Sequence, residues 1–187
     1  MVASTAHHFV RAVASRIVGR SAALRLRSAN AIGARGRVFG AAHVENWGTL
    51  TIGGDFTFWS YPLRSHIVVE PGGRVVIGNG VMIGAGAAIA SECRIEIGDG
   101  VTIGRSVIIM DTDFHDTNDK ERPGASAAVV IGANARIGDN VTILKGVRLA
   151  EGARVASGSL VWTDSRGQVR CRSLDSGESR DASAIHD

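Results

Sequence analysis

One histidine stands among carboxylates in the stretch Met-Asp-Thr-Asp-Phe-His-Asp-Thr-Asn-Asp-Lys-Glu-Arg-Pro-Gly, which begins at Met110 and gathers Asp111, Asp113, His115 and Asp116. Imidazole has an ordinary pKa near ~6.5, so it can take and return a proton at neutral pH. Carboxylates beside it can orient the ring or hydrogen-bond a hydroxyl. Metal chemistry has less support. A histidine zinc site needs three converging rings, whereas His43 and His66 lie far from His115 in sequence, His7 and His8 stand at the front, and His186 stands near the end. The two cysteines, Cys93 and Cys171, can build neither a four-cysteine zinc site nor a disulfide framework. No metal is expected, and the low cysteine count favours a reducing compartment.

The frame that must hold this stretch is written as a repeat. Ile131, Ile137, Ile143, Leu149, Val155 and Val161 recur at intervals of six, and Gly132 and Gly138 follow the first two. The same hexad runs through Ile77, Ile83 and Ile89 and resumes, displaced by two, at Ile97, Ile103 and Ile109. A weaker version passes through Ile32, Val38, Val44 and Leu50, and again at Ile52. A helix cannot use this period, because residues six apart wander around its surface. Short strands separated by corners can. One aliphatic and one small residue point inward per unit, and glycine takes the corner geometry that a side chain would strain. Three units close a triangular coil, and stacked coils give an all-β solenoid, a parallel β-helix with strands about 4.8 Å apart. Composition agrees: 24 of 187 residues are glycine and only 5% are aromatic, against a usual glycine share of about 7%.

Two excursions break the repeat, and long loops on a solenoid are either disordered or functional. Residues 53–71 hold Phe56, Phe58, Trp59 and Tyr61, which could plug the end of the prism or stack on a sugar face. Residues 110–128 hold the histidine. The ends differ from the middle. Residues 1–44 carry seven arginines and no acid, and the first 30 read as an amphipathic helix with Phe9, Val13 and Ile17 on one stripe. Such a helix could pack on the body or on another subunit, lie on a membrane surface, or be a transit segment. The longest charge-free stretch, Val75 to Ser91, is shorter than the ~20 residues of a membrane span. Residues 164–187 are polar and without period, and are expected to be a disordered tail. Basic charge concentrated in a leader, with no motif on the body, argues against a nucleic-acid reader. The expected layout is a helical segment over 1–30, a β-helix over 31–163 and a tail over 164–187.

The segments Val-Val-Ile-Gly-Asn-Gly (75–80), Ile-Gly-Asp-Gly-Val-Thr-Ile-Gly (97–104) and Ile-Gly-Asp-Asn-Val-Thr-Ile-Leu-Lys-Gly-Val (137–147) resemble the hexapeptide-repeat acyltransferases. The loop Asp-Thr-Asp-Phe-His (111–115) is similar to that of the branch that acetylates sugar and polysaccharide hydroxyls. The resemblance spans roughly residues 30 to 163. It implies a left-handed β-helix, a cytoplasmic homotrimer with active sites between subunits, and acetyl-CoA or another acyl-CoA as co-substrate. It also implies a sugar or glycan acceptor. Carried over residue by residue, His115 is the general base that deprotonates the acceptor hydroxyl. Gly138, Asp139, Ser157 and Gly158 match the positions that contact the coenzyme, while Asp113 is either a carboxylate that orients the ring or binds the acceptor, or a solvated loop acid. Direct attack on the thioester needs no covalent intermediate, so no nucleophilic Ser or Cys is sought. An amine acceptor and a longer acyl chain remain open. A reading from another class also stands: a β-helix without activity that serves as scaffold or partner subunit.

Overall fold

The sixfold-spaced aliphatics each sit on a short strand, Ile77, Ile83, Ile97, Ile103, Ile131 and Ile137 at its end and Ile89, Ile109 and Val161 inside it, and a corner follows each strand, so the chain turns at every hexad. In the computed structural model the result is a parallel β-helix, described for residues 25–114, 124–173 and the backbone of 179–181. The helix expected over 1–30 falls almost wholly on residues outside those described.

Six coils follow one another. The first holds β1 (Ala31–Ile32), β2 (Arg37–Gly40) and β3 (His43–Asn46), and the second β4 (Thr49–Ile52), β5 (Thr57–Ser60) and β6 (His66–Val69). The third holds β7 (Arg74–Ile77), β8 (Met82–Ile83) and β9 (Ala88–Ser91), and the fourth β10 (Ile95–Ile97), β11 (Thr102–Ile103) and β12 (Ile108–Met110). The fifth holds β13 (Val129–Ile131), β14 (Arg136–Ile137) and β15 (Thr142–Ile143), and the sixth β16 (Arg148–Leu149), β17 (Arg154–Val155) and β18 (Ser159–Thr163). The first strands of all coils form one face of the prism, the second strands a second face, and the third strands a third face.

The repeat positions are register partners. Ile77, Ile97, Ile131 and Leu149 stack on the first face. Ile83, Ile103, Ile137 and Val155 stack on the second, and Ile89, Ile109, Ile143 and Val161 on the third. All are buried, and each such side chain contributes about 1.5–3 kcal/mol on leaving water. The weak early hexad continues these rows through Ile32, Val38 and Val44. Ile52 joins the Ile77 row, while Leu50 starts a second inward row with Val75 and Ile95.

The aromatic excursion divides. Phe56 and Phe58 are buried inside, beside Leu26 at the N-terminal end of the core, as a plug requires. Trp59 and Tyr61 point outward.

The tail departs from expectation. Residues 164–173 are not disordered: β19 (Val169–Ser173) pairs antiparallel with β18, Val161 opposite Cys171, and β20 (Ser179–Asp181) pairs with β19. The last coil would otherwise leave an open strand edge. The turn back is closed by the Asp164 carboxylate, which accepts the N–H groups of Arg166 and Gln168 at 2.9 and 3.0 Å. Val169 and Cys171 pack against the core. An antiparallel hairpin needs no sixfold repeat, so the loss of the hexad gave no sign of it.

Candidate active site

The polar excursion leaves the prism at its third edge, where the third face turns into the first face of the next coil. The two branches of its root pair antiparallel. Thr112 bridges Ser126, Asp113 N–H donates to Ala125 O at 3.1 Å, and Ala127 N–H donates to Asp111 O at 2.8 Å. Below them Asp111 is fully buried. Its carboxylate accepts the Ser91 hydroxyl at 2.7 Å and the N–H groups of Glu92 and Cys93 at 2.8 and 3.0 Å. The corner it caps holds the two extra residues that displace the repeat between Ile89 and Ile97. The Thr112 hydroxyl donates to Glu92 Oε2 at 2.7 Å and accepts the Phe114 N–H at 3.0 Å. Phe114 itself adopts φ 59°. The start of the excursion is thus tied down as far as the residue before His115, and His115 lies outside the described residues.

Asp113 is half-exposed, and both its oxygens accept Lys145 Nζ, at 2.6 and 2.5 Å. Lys145 stands on the same edge one coil later, where the next residue, Gly146, donates its N–H to Ala127 O at 3.0 Å. The following coil therefore grips both branches of the root.

The four residues expected at the coenzyme meet at a different edge, the second, where the second face turns into the third. Asp139 N–H donates to Ser157 Oγ at 3.0 Å, and Gly158 N–H donates to Asp139 O at 2.8 Å. The Asp139 carboxylate accepts the Arg105 N–H at 2.8 Å, and its second oxygen accepts Arg105 Nε and Nη2 at 3.2 and 3.1 Å. The backbone N–H of Arg105, aided by its guanidinium, holds the Asp139 carboxyl below the usual carboxylate range. Gly158 has φ 70°, and Gly86, Ser106 and Asn140 hold the same left-handed position in earlier coils. Gly138 has no room for a side chain, since a Cβ there would lie 2.5 Å from Ser157 N. Coil stacking alone therefore accounts for both glycines.

Within one chain the third face separates Asp113 from the corner of Gly138, Asp139, Ser157 and Gly158. The sequence reading passed over the Asp111 cap and the grip of Lys145 on Asp113. The displacement of two at Ile97 was the available sign of the first: an enlarged corner leaves N–H groups that something must accept. Among the described residues no cluster of His, Cys, Asp and Glu is disposed to hold a metal ion, and no helix is long and apolar enough to cross a membrane.

Comparison with known proteins adds the following. The family profile described as "Bacterial transferase hexapeptide (six repeats)" matches residues 128–161, directly after the excursion. No curated protein matches the chain. A mutant of AntD, an N-acyltransferase from Bacillus cereus, solved with dTDP and coenzyme A, is 20% identical over 87% of this chain and 90% of that chain, with TM-score 0.45. The polySia-specific acetyltransferase NeuO is 20% identical over 81% of each chain, with TM-score 0.40. A hexapeptide transferase family protein from Anaplasma phagocytophilum is 16% identical over 72% of this chain and 79% of that chain, with TM-score 0.30. The chain carries hexapeptide repeats of the bacterial-transferase kind on a parallel β-helix.

Proposed function

We propose that the protein is an acyltransferase that moves an acetyl or other acyl group from acyl-CoA to a hydroxyl of a sugar or glycan, with His115 as general base. The observation that carries this reading is the built root of the excursion. A buried carboxylate, an antiparallel clasp and an ion pair to the next coil fix the chain immediately before a lone imidazole, in a hexapeptide-repeat frame. A merely solvated loop asks for none of these.

In the reaction the imidazole takes the acceptor hydroxyl proton as the oxygen attacks the thioester carbonyl carbon. The C–O bond forms, the C–S bond breaks, and the leaving thiolate takes the proton from the imidazolium. The Lys145 pair engages both oxygens of Asp113, so Asp113 serves by holding the root and presents its remaining lone pairs to the acceptor. The coenzyme is read at the second edge, where Asp139, Ser157 and Arg105 bring polar groups to one corner. Because loop root and corner occupy different edges, a homotrimer is the natural assembly: the loop edge of one protomer faces the second edge of its neighbour.

The test is release of coenzyme A from acetyl-CoA across a panel of sugar acceptors. His115→Ala should lower kcat by roughly 10²–10⁴. Full turnover by that variant removes His115 from the mechanism. No release with any acceptor, together with no thermal shift on adding coenzyme A, supports the scaffold reading instead.

A further inference from the structure

On the second face, the outward side chains of the first two coils form an aromatic pair. Phe39 and Trp59 are register partners on β2 and β5, with ring centroids 4.2 Å apart and planes 14° from parallel. Phe39 covers the indole face on the first-coil side. The opposite face looks toward the third coil, where the next position is Gly84: the Ser65 hydroxyl lies 2.8 Å from Trp59 O and 3.4 Å from Gly84 O. Residue 84 must be bare, because a Cβ there would lie 2.4 Å from Gly104 O. Trp59 is 40% exposed, so this coil packing leaves an open indole face beside a bare backbone.

The surroundings make a notch. The turn after β5 folds over the corner of the third coil, with Gly86 N–H donating to Leu63 O at 3.1 Å and the exposed Leu63 side chain lying beside Gly86. One coil further on, the same edge carries Ser106 and Arg105, the latter pinned to Asp139.

We infer that this notch is a sugar-binding subsite: the C–H face of a pyranose ring stacks on the open face of Trp59, and its hydroxyls bond Ser106. An indole face is electron-rich and attracts the partly positive C–H groups of a sugar. The Ser106 hydroxyl donates and accepts, which suits a sugar hydroxyl that does both. The inference deepens the proposed function by naming a residue that reads the acceptor.

Calorimetry with methyl β-D-glucopyranoside, methyl β-D-galactopyranoside and methyl N-acetyl-β-D-glucosaminide tests it, with adenosine as the flat aromatic alternative. At least one pyranoside should bind, Trp59→Ala should weaken it about ten-fold or more, and Trp59→Phe should stay within about three-fold. Binding that is absent for all three sugars, equal in Trp59→Ala, or displaced by adenosine overturns the subsite. Coenzyme A release separates the two claims. Trp59-dependent sugar binding without release defeats the acyltransfer reading and leaves the subsite standing. Release whose acceptor KM is unchanged in Trp59→Ala defeats the subsite and leaves acyltransfer standing.

Discussion

Replacing Asp111 with alanine removes the acceptor of three hydrogen bonds at a fully buried point. The three donors do not suffer equally. The Ser91 hydroxyl has a second oxygen, Arg74 O, at 3.4 Å and can turn to it. The N–H groups of Glu92 and Cys93 are fixed by the corner and have no such choice. Leaving a buried donor unpaired costs about 1–3 kcal/mol, so two of them give about 3 kcal/mol, the lower part of the range applying because the corner is partly solvated. Asparagine keeps one oxygen and recovers one N–H, while its amide nitrogen opposes the other donor; its loss should fall between wild type and alanine. With a urea m-value of about 2 kcal/mol/M, alanine should move the unfolding midpoint down by about 1.5 M. Asp99 provides the control, since its carboxylate accepts the Asn79 N–H at 2.7 Å on an exposed corner and Asp99→Ala should cost under about 1 kcal/mol. A midpoint for Asp111→Ala within about 0.3 M of wild type, or no difference between Asp111→Ala and Asp99→Ala, would refute the idea that the buried carboxylate anchors the excursion.

Two further outcomes follow from the same geometry. Gly138→Ala sets a methyl group 2.5 Å from Ser157 N and 2.6 Å from Ser157 Oγ, so the fifth and sixth coils must part. A thermal midpoint several degrees lower and weaker coenzyme A binding are expected; an unchanged midpoint would mean the coils yield freely. The Asp164 carboxyl is held below its usual range by the N–H of Gln168, then by Arg170 and the N–H of Arg166. A lowered folded pKa stabilises above the unfolded value of about 3.9 and is lost as pH falls through the folded one. The turn at Asp164 should therefore loosen below about pH 4, read as lost amide-exchange protection, relative to intrinsic rates, at Arg166 and Gln168, and Asp164→Asn should show little dependence of that protection on pH.

The fold was legible because the sixfold signal is a statement about the inside of the coil. Ile83, Ile103 and Ile137 must be aliphatic wherever the chain runs between them, and they prove to be direct neighbours. What the repeat could not reveal depends on contacts it does not encode. Asp111 looked like one loop carboxylate among several, and only stacking on Ser91, a coil earlier, shows it facing inward. Asp113 could not be told from a solvated acid until coil closure brought Lys145 alongside. Phe58 and Trp59 are both large aromatics and adjacent in sequence, yet strand alternation buries one and exposes the other.

The excursion can be polar because the solenoid closes without it. β12 pairs directly with β15, Ile109 against Ile143, and β10 with β13, Ile97 against Ile131, so the ladder passes straight across the point where the chain departs. The clasp residues are not free, since Asp111 accepts the N–H groups of the preceding corner, Thr112 bonds the Glu92 carboxylate, and Ala127 bonds the backbone of Asp111 and Gly146. On the proposed function, chemistry and folding fall to different residues of one segment. Acyl transfer also needs a donor site, and the second edge offers the richer set of polar groups, across the full width of the third face from the loop root. No motion of the root can cross that face while Asp111 remains buried. If both edges serve one reaction, the loop must meet the second edge of another copy, and assembly becomes part of the mechanism.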